Sequence, residues 1–290
     1  MRRRITANLV KAFVLVGLLV ALAGGVGWLI GHERSAALFG FCGLAAAIAV
    51  YWLGDRALLG MLGARPFALA EDPLLRSATD RVAAQLRVAS PKLYLIDDGF
   101  PRAFVVGRGP GGATLTVSTG LLRAVRRGEL EAIIAHELAH IRSLDVLTQT
   151  FAVLLATMLV EASRAGGFLA RALLFVLAPV AAAFTHALLS PKREFAADRD
   201  AATVCSAHDL ADALLRLERA SELVSFEASP TTEPLYTVDP FERDRLSRMF
   251  RTHPSLADRI ARLRVIGGAG TQRADGAAAS AARQRTSLEG

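Results

Sequence analysis

The sequence predicts a mainly helical α+β protein. Transmembrane helical segments join a domain that carries a small β-sheet and a helix bearing two histidines four residues apart. Three observations predict it. Hydrophobic residues make up 52% of the 290 positions and mean hydropathy is +0.36, high for a water-soluble protein. Two uncharged apolar runs, residues 12–30 and 36–53, stand near the N-terminus, each about long enough to cross a hydrocarbon core. Residues 66–145 then alternate helical patterning with short β-rich runs separated by Gly and Pro turns.

The two apolar runs are joined by Gly31-His32-Glu33-Arg34-Ser35, which predicts a helical hairpin rather than a cleaved leader. Arg2, Arg3, Arg4 and Lys11 precede it and Arg56, Arg65 and Arg76 follow it, while the connector holds only Arg34. Both outer flanks are therefore expected in the cytoplasm. Residues 72–88 have helical character, Lys92–Ile96, Ala103–Gly107 and 114–118 read as strands, and 129–142 as a helix with Glu129 and Glu131 in its first turn. Two further apolar stretches, 146–160 and 172–189, read as possible membrane spans. Residues 190–224 read as one long helix with Ser190 as N-cap and Pro191 at its first position. A Pro-containing loop leads to a last helix ending near Val265, and residues 266–290, rich in Gly, Ala, Arg and Ser, are expected to be disordered. This divides the chain into a hairpin at 1–60, a domain at 61–265 and a tail.

The net charge of +7 fits an anionic membrane face, since much of the basic excess flanks apolar segments; nucleic acid is not expected as a partner. Cys42 and Cys205 lack metal-binding spacing and read as free thiols.

His136-Glu137-Leu138-Ala139-His140 fits H-E-x-x-H, a rare chance match in a chain with 6 histidines. On a helix, residues four apart share a face, which suits two nitrogen ligands on one zinc with Glu137 within reach of a water there. Ile133, Ile134 and Leu138 supply apolar faces to embed that helix; the bland alternative is a surface helix with two solvated histidines. A catalytic zinc keeps three protein ligands. No third histidine follows at metzincin spacing. Glu194 and Asp198, four apart, are candidates, but spacing alone equally allows a solvated acidic pair offset by Arg193 and Arg199.

Taken together, Arg102-Ala103-Phe104-Val105-Val106-Gly107, Val117-Ser118-Thr119-Gly120-Leu121-Leu122, Arg193-Glu194-Phe195-Ala196-Ala197-Asp198 and Thr252-His253-Pro254-Ser255-Leu256-Ala257-Asp258-Arg259-Ile260, in this order around the H-E-x-x-H, resemble the HtpX-type membrane metallopeptidases, relatives of the CAAX prenyl proteases. The resemblance implies a zincin-like catalytic domain with one Zn2+ per chain. His136, His140 and Glu194 would be ligands and Glu137 the catalytic acid and base. Asp198 would be a partner for a ligand imidazole. His253 would fall near the cleft and stabilise an oxyanion, unless it is simply a helix-start histidine beside Pro254. The implied activity is endoproteolysis of misfolded or membrane-associated proteins by a multi-pass inner-membrane protein whose site faces the cytoplasm. An extended substrate is expected to pair with the edge of Ala103–Gly107 or of 114–118. The competing readings are a prenyl-protein processing protease and a membrane scaffold with a structural zinc. Arg102 stands where that family usually has asparagine.

Overall fold

The computed structural model describes residues 2–68, 71–109, 111–150, 192–223 and 254–268. The first element, α1 (Arg2–Met61), is two helical arms joined at Gly31 and His32, whose backbone leaves the helical region. His32 takes φ 59°, uncommon for a residue with a Cβ. The chain reverses there, inside the expected connector. A Cβ placed on Gly40 would lie 4.0 Å from Val20 Cγ1, and one on Gly24 3.5 Å from the Ala36 carbonyl, so the arms lie side by side. At Gly27 a Cβ would collide with the Ser35 carbonyl, so only glycine fits that crossing. Among the described residues one helical stretch, Ala23–Met61 (39 residues), contains an 18-residue window of mean hydropathy 2.0, long and apolar enough to cross a membrane.

After α1 comes a four-stranded sheet with its helices. Asp72 caps α2 (Pro73–Leu86) by accepting from the N–H groups of Leu74 and Leu75 at 2.9 and 3.2 Å, and Arg87 ends it in the left-handed region. Strands β1 (Arg65–Pro66), β2 (Lys92–Ile96), β3 (Ala103–Gly107) and β4 (Ala113–Ser118) lie in the order β1-β2-β4-β3. The β2–β4 pair is parallel, with Leu95 opposite Val117; β3 and β4 are antiparallel, with Val105 opposite Leu115. The central position of β4 corrects the expectation that 114–118 offers an edge: both its sides are paired, and β3 is the edge strand.

Both faces of the sheet are covered, which is why all five β3 residues are buried. Leu93, Leu95, Val105, Leu115 and Val117 face the main core, where they join Leu75, Val82 and Leu86 of α2. Ile133, Ile134 and Leu138 of α4 (Arg127–Ser143) complete that layer. The alternate residues Ile96, Phe104 and Val106 face the other way and pack on Leu58 and Leu59 at the end of α1. Period-2 alternation thus glues the sheet to the apolar hairpin on one side and to the helical layer on the other.

A short helix, α3 (Thr119–Ala124), links β4 to α4 and was not expected; the Ser118 side chain caps it by accepting from the Leu121 N–H at 3.0 Å. The expected single helix at 190–224 is instead two, α5 (Lys192–Ala201) and α6 (Ala207–Leu223). The break at 202–206 has a local cause. The Cys205 thiol and Thr203 hydroxyl turn back onto the Ala201 and Asp200 carbonyls, and Ser206 Oγ accepts from the Asp209 N–H as a new N-cap. The last described helix, α7 (256–268), runs past Val265 through Gly267 and Gly268, which were expected in the tail; it buries Leu256, Ile260 and Leu263 in the main core. The apolar stretch 172–189, most of 146–160, the Ser190-Pro191 cap, the Pro-containing loop and residues 269–290 lie outside the described residues. The described part of the first stretch, 146–150, is buried helix. Both cysteines are free thiols.

Candidate metal centre

Helix α4 carries the H-E-x-x-H residues in the heart of the domain. Glu129 stabilises its start by accepting from the Arg126 N–H at 2.6 Å, and it pairs with Arg216 of α6 at 2.9 Å. Burial of Ile133, Ile134 and Leu138 locks the helix rotation, and this turns His136 (1% exposed), Glu137 (4%) and His140 (4%) inward. The solvated-histidine reading is thereby excluded. The two rings stand 5.0 Å apart at 88° to one another.

Helix α5 brings the carboxylates. Glu194 and Asp198 are 1% and 3% exposed, so they are not a solvated acidic pair. Glu194 Oε2 lies 3.3 Å from His136 Nε2, and Oε1 lies 3.5 Å from His140 Nε2. One ligand atom from each of His136, His140 and Glu194 falls within 4.8 Å of the others. Four ligands at bonds of about 2.0–2.1 Å around a tetrahedral zinc are separated by about 3.3 Å. The two Glu194 contacts match that spacing, and two imidazoles with a carboxylate are a donor set that zinc takes.

The other nitrogen of each imidazole meets a carboxylate. His136 Nδ1 bonds Asp198 Oδ1 at 2.9 Å, the partnership expected of Asp198. His140 Nδ1 lies 3.4 Å from Asp145 Oδ2, which also accepts from the Ser143 hydroxyl at 2.6 Å. Asp145 was missed by the sequence reading. It reaches His140 because Leu144 ends α4 in the left-handed region (φ 61°), a turn that no glycine announces. Arg259 of α7, for which the sequence motif implies no role, also reaches the centre. Its guanidinium donates to Asp198 from Nε at 2.9 Å and Nη2 at 2.7 Å, and stands 3.4 Å from both His136 nitrogens and 3.9 Å from Glu194. Arg193 closes the other side, with Nε 3.2 Å from Glu194 Oε1 and Nη1 donating to Gln149 at 3.2 Å. Arg102 pairs with Asp98 at 2.6 Å. His253 lies outside the described residues.

These contacts set the protonation of the centre. Burial raises the Asp198 carboxyl, but the Arg259 charge and the His136 bond outweigh it and hold the group at about 2. Burial likewise raises Asp145, yet its bond to His140 brings it to about 2. For His136, burial and the Arg259 charge push down, while Asp198 and Glu194 push up more strongly, to about 9. Both carboxylates are thus charged at neutral pH and aimed at the imidazoles that would carry the metal.

The model of peptidase family M48 matches residues 69–266. A protein named Protease HtpX homolog from Acidiphilium cryptum is 36% identical over 275 residues, covering 89% of this chain and 96% of its own. One of the same name from Pyrococcus abyssi is 34% identical over 275 residues, covering 89% and 95%. Among solved structures, the crystal structure of S. mikatae Ste24p superposes with a TM-score of 0.51 at 15% identity, over 91% of this chain and 67% of that one, a likeness of fold. A family match from α2 into α7, joined by relatives alike over nearly their full length, makes this chain a metallopeptidase that belongs to peptidase family M48.

Proposed function

We propose that this M48 peptidase is a multi-pass inner-membrane endopeptidase that binds one Zn2+ through His136, His140 and Glu194 and cleaves misfolded or membrane-associated proteins at the cytoplasmic face. The observation that carries the reading is the buried convergence of those three side chains within 4.8 Å beside Glu137. Zinc held there supplies Lewis acidity, which acidifies water and polarises a peptide carbonyl. The protein's own groups do the rest. Glu137 takes the proton of the attacking water and returns it to the leaving amine. Asp198 and Asp145 fix which nitrogen each imidazole presents. His253 assists at the oxyanion.

The substrate lies extended along β3. Arg102 O accepts from the Ser118 N–H of β4, whereas the Gly107 N–H turns away from β4 to Thr150 Oγ1 at 3.1 Å. By the alternation of an antiparallel pair, the main-chain groups of Val105 face the same outer side as those of Gly107. Among the described residues no strand pairs there; Val105 is 0% exposed and the Gly107 N–H is already bonded to Thr150, so a peptide adds to β3 as a further strand only once that cover is displaced.

Membrane attachment is supported by the sleeve of exposed Phe13, Leu29, Ile30, Phe41 and Trp52 on α1, an apolar surface that water would not tolerate. We assign 1–60 as a spanning hairpin, 61–268, through the end of α7, as the peptidase domain and the residues beyond as a tail. Incubation of the purified chain with casein tests the activity: cleavage that a chelator abolishes and zinc restores is expected, and chelator-resistant cleavage contradicts it.

A further inference from the structure

We infer that Arg259 is a positioning residue of the metal centre, holding Asp198 in the orientation that aims His136. The inference rests on His136 being a metal ligand. Arg259 is 2% exposed, and its helix is anchored by Leu256, Ile260 and Leu263 in the main core, so the guanidinium is presented rigidly. Its two-point contact occupies both Asp198 oxygens: Nη2 donates to Oδ1, the oxygen that also bonds His136 Nδ1, and Nε donates to Oδ2. Asp198 is thereby kept as an orienting group, although it stands one helical turn from Glu194 and carries the same chemistry. The Arg259–Asp198 pair also sums to zero charge beside the ligands. The clamp therefore aligns His136 without adding an uncompensated anion. A planar fork is needed for this; lysine keeps the charge but offers only a point contact.

That difference separates clamp from charge. Lysine at 259 leaves the field on a bound cation nearly unchanged, so any loss of metal affinity reports lost alignment. The full chain is stripped with a chelator and titrated with zinc as wild type, Arg259→Lys, Arg259→Gln, Asp198→Asn and the Arg259→Lys/Asp198→Asn double variant. Circular dichroism of each metal-free protein is recorded alongside. Arg259→Lys is expected to stay folded and to weaken zinc binding roughly 10- to 100-fold. The double variant is expected to bind no worse than Asp198→Asn alone, because both changes act through one carboxylate. Zinc binding by Arg259→Lys within about threefold of wild type, additive losses in the double variant, or unfolding of both metal-free Arg259 variants would each overturn the inference. A wild-type chain that takes up no zinc contradicts the metal centre beneath it instead.

Discussion

Asp145→Asn asks how much each carboxylate behind the imidazoles is worth. Removing the partner of a ligand histidine costs about 10- to 100-fold in metal affinity. The two partners here are unequal. Asp198 meets His136 at 2.9 Å, near the optimum for an N–H donor, while Asp145 meets His140 at 3.4 Å, at the weak end of the range. Asp145 also divides its accepting oxygen with Ser143 at 2.6 Å. Asp145→Asn should therefore sit at the bottom of the range, about tenfold or about 1.4 kcal/mol, and Asp198→Asn near the top. Asparagine preserves volume, so packing changes little. The assay is competition between protein and a chromophoric chelator for zinc, with helix content checked in the metal-free form. A loss for Asp145→Asn equal to or larger than that for Asp198→Asn would refute the reasoning from bond length.

Glu194→Ala removes a proposed ligand rather than its support and should leave no stoichiometric zinc after dialysis; retention at wild-type affinity would remove Glu194 from the ligand set. Burial, with Asp209, Glu131 and Asp198 adding to it, pushes the Cys205 thiol up to about 12. Its reactive thiolate is then about one part in 10⁴ at pH 8, so in a chain whose exposed Cys42 is replaced by serine iodoacetamide should reach Cys205 only after unfolding, and rapid alkylation of Cys205 in that native chain at pH 8 would count against its half-buried placement. Single cysteines at 33, 90 and 252 on a cysteine-free background test the topology: an impermeant reagent on intact cells should label 33 and spare the other two. Labelling of 90 or 252 refutes this topology, and labelling of only one of the two breaks the zinc assignment itself.

How much was legible in the sequence varied with the range of the interaction. β2 and β3 were read to the residue and β4 to within one, because Asp97-Asp98-Gly99 and Gly109-Pro110-Gly111-Gly112 punctuate them. α2 was bounded by its own Asp72 cap and α4 by its acidic first turn. β1 escaped because two residues, one of them proline, carry no strand signal. The break at 202–206 escaped because its cause is side chains folding back on carbonyls within an otherwise helical pattern. At the site, the local H-E-x-x-H spacing was enough to single out His136, Glu137 and His140 as candidates, and the structure buries all three. Glu194 and Asp198 stayed ambiguous on spacing alone, since only packing of α5 on α4 distinguishes a ligand from a solvated acid. Asp145 needed the left-handed turn at Leu144. Arg259 lies 61 residues beyond the carboxylate it clamps, a contact that no local pattern encodes.

Metal binding by His136, His140 and Glu194 and proton transfer by Glu137 are separate duties, and one paired measurement tests that separation. Wild type and Glu137→Gln are purified, assayed for zinc by elemental analysis and for cleavage of a protein substrate in the same preparations. One zinc per chain is expected in both, with cleavage falling by about 10²- to 10⁴-fold in the variant, the loss that follows removal of a general base. Full cleavage by Glu137→Gln, or loss of zinc along with activity, would contradict it.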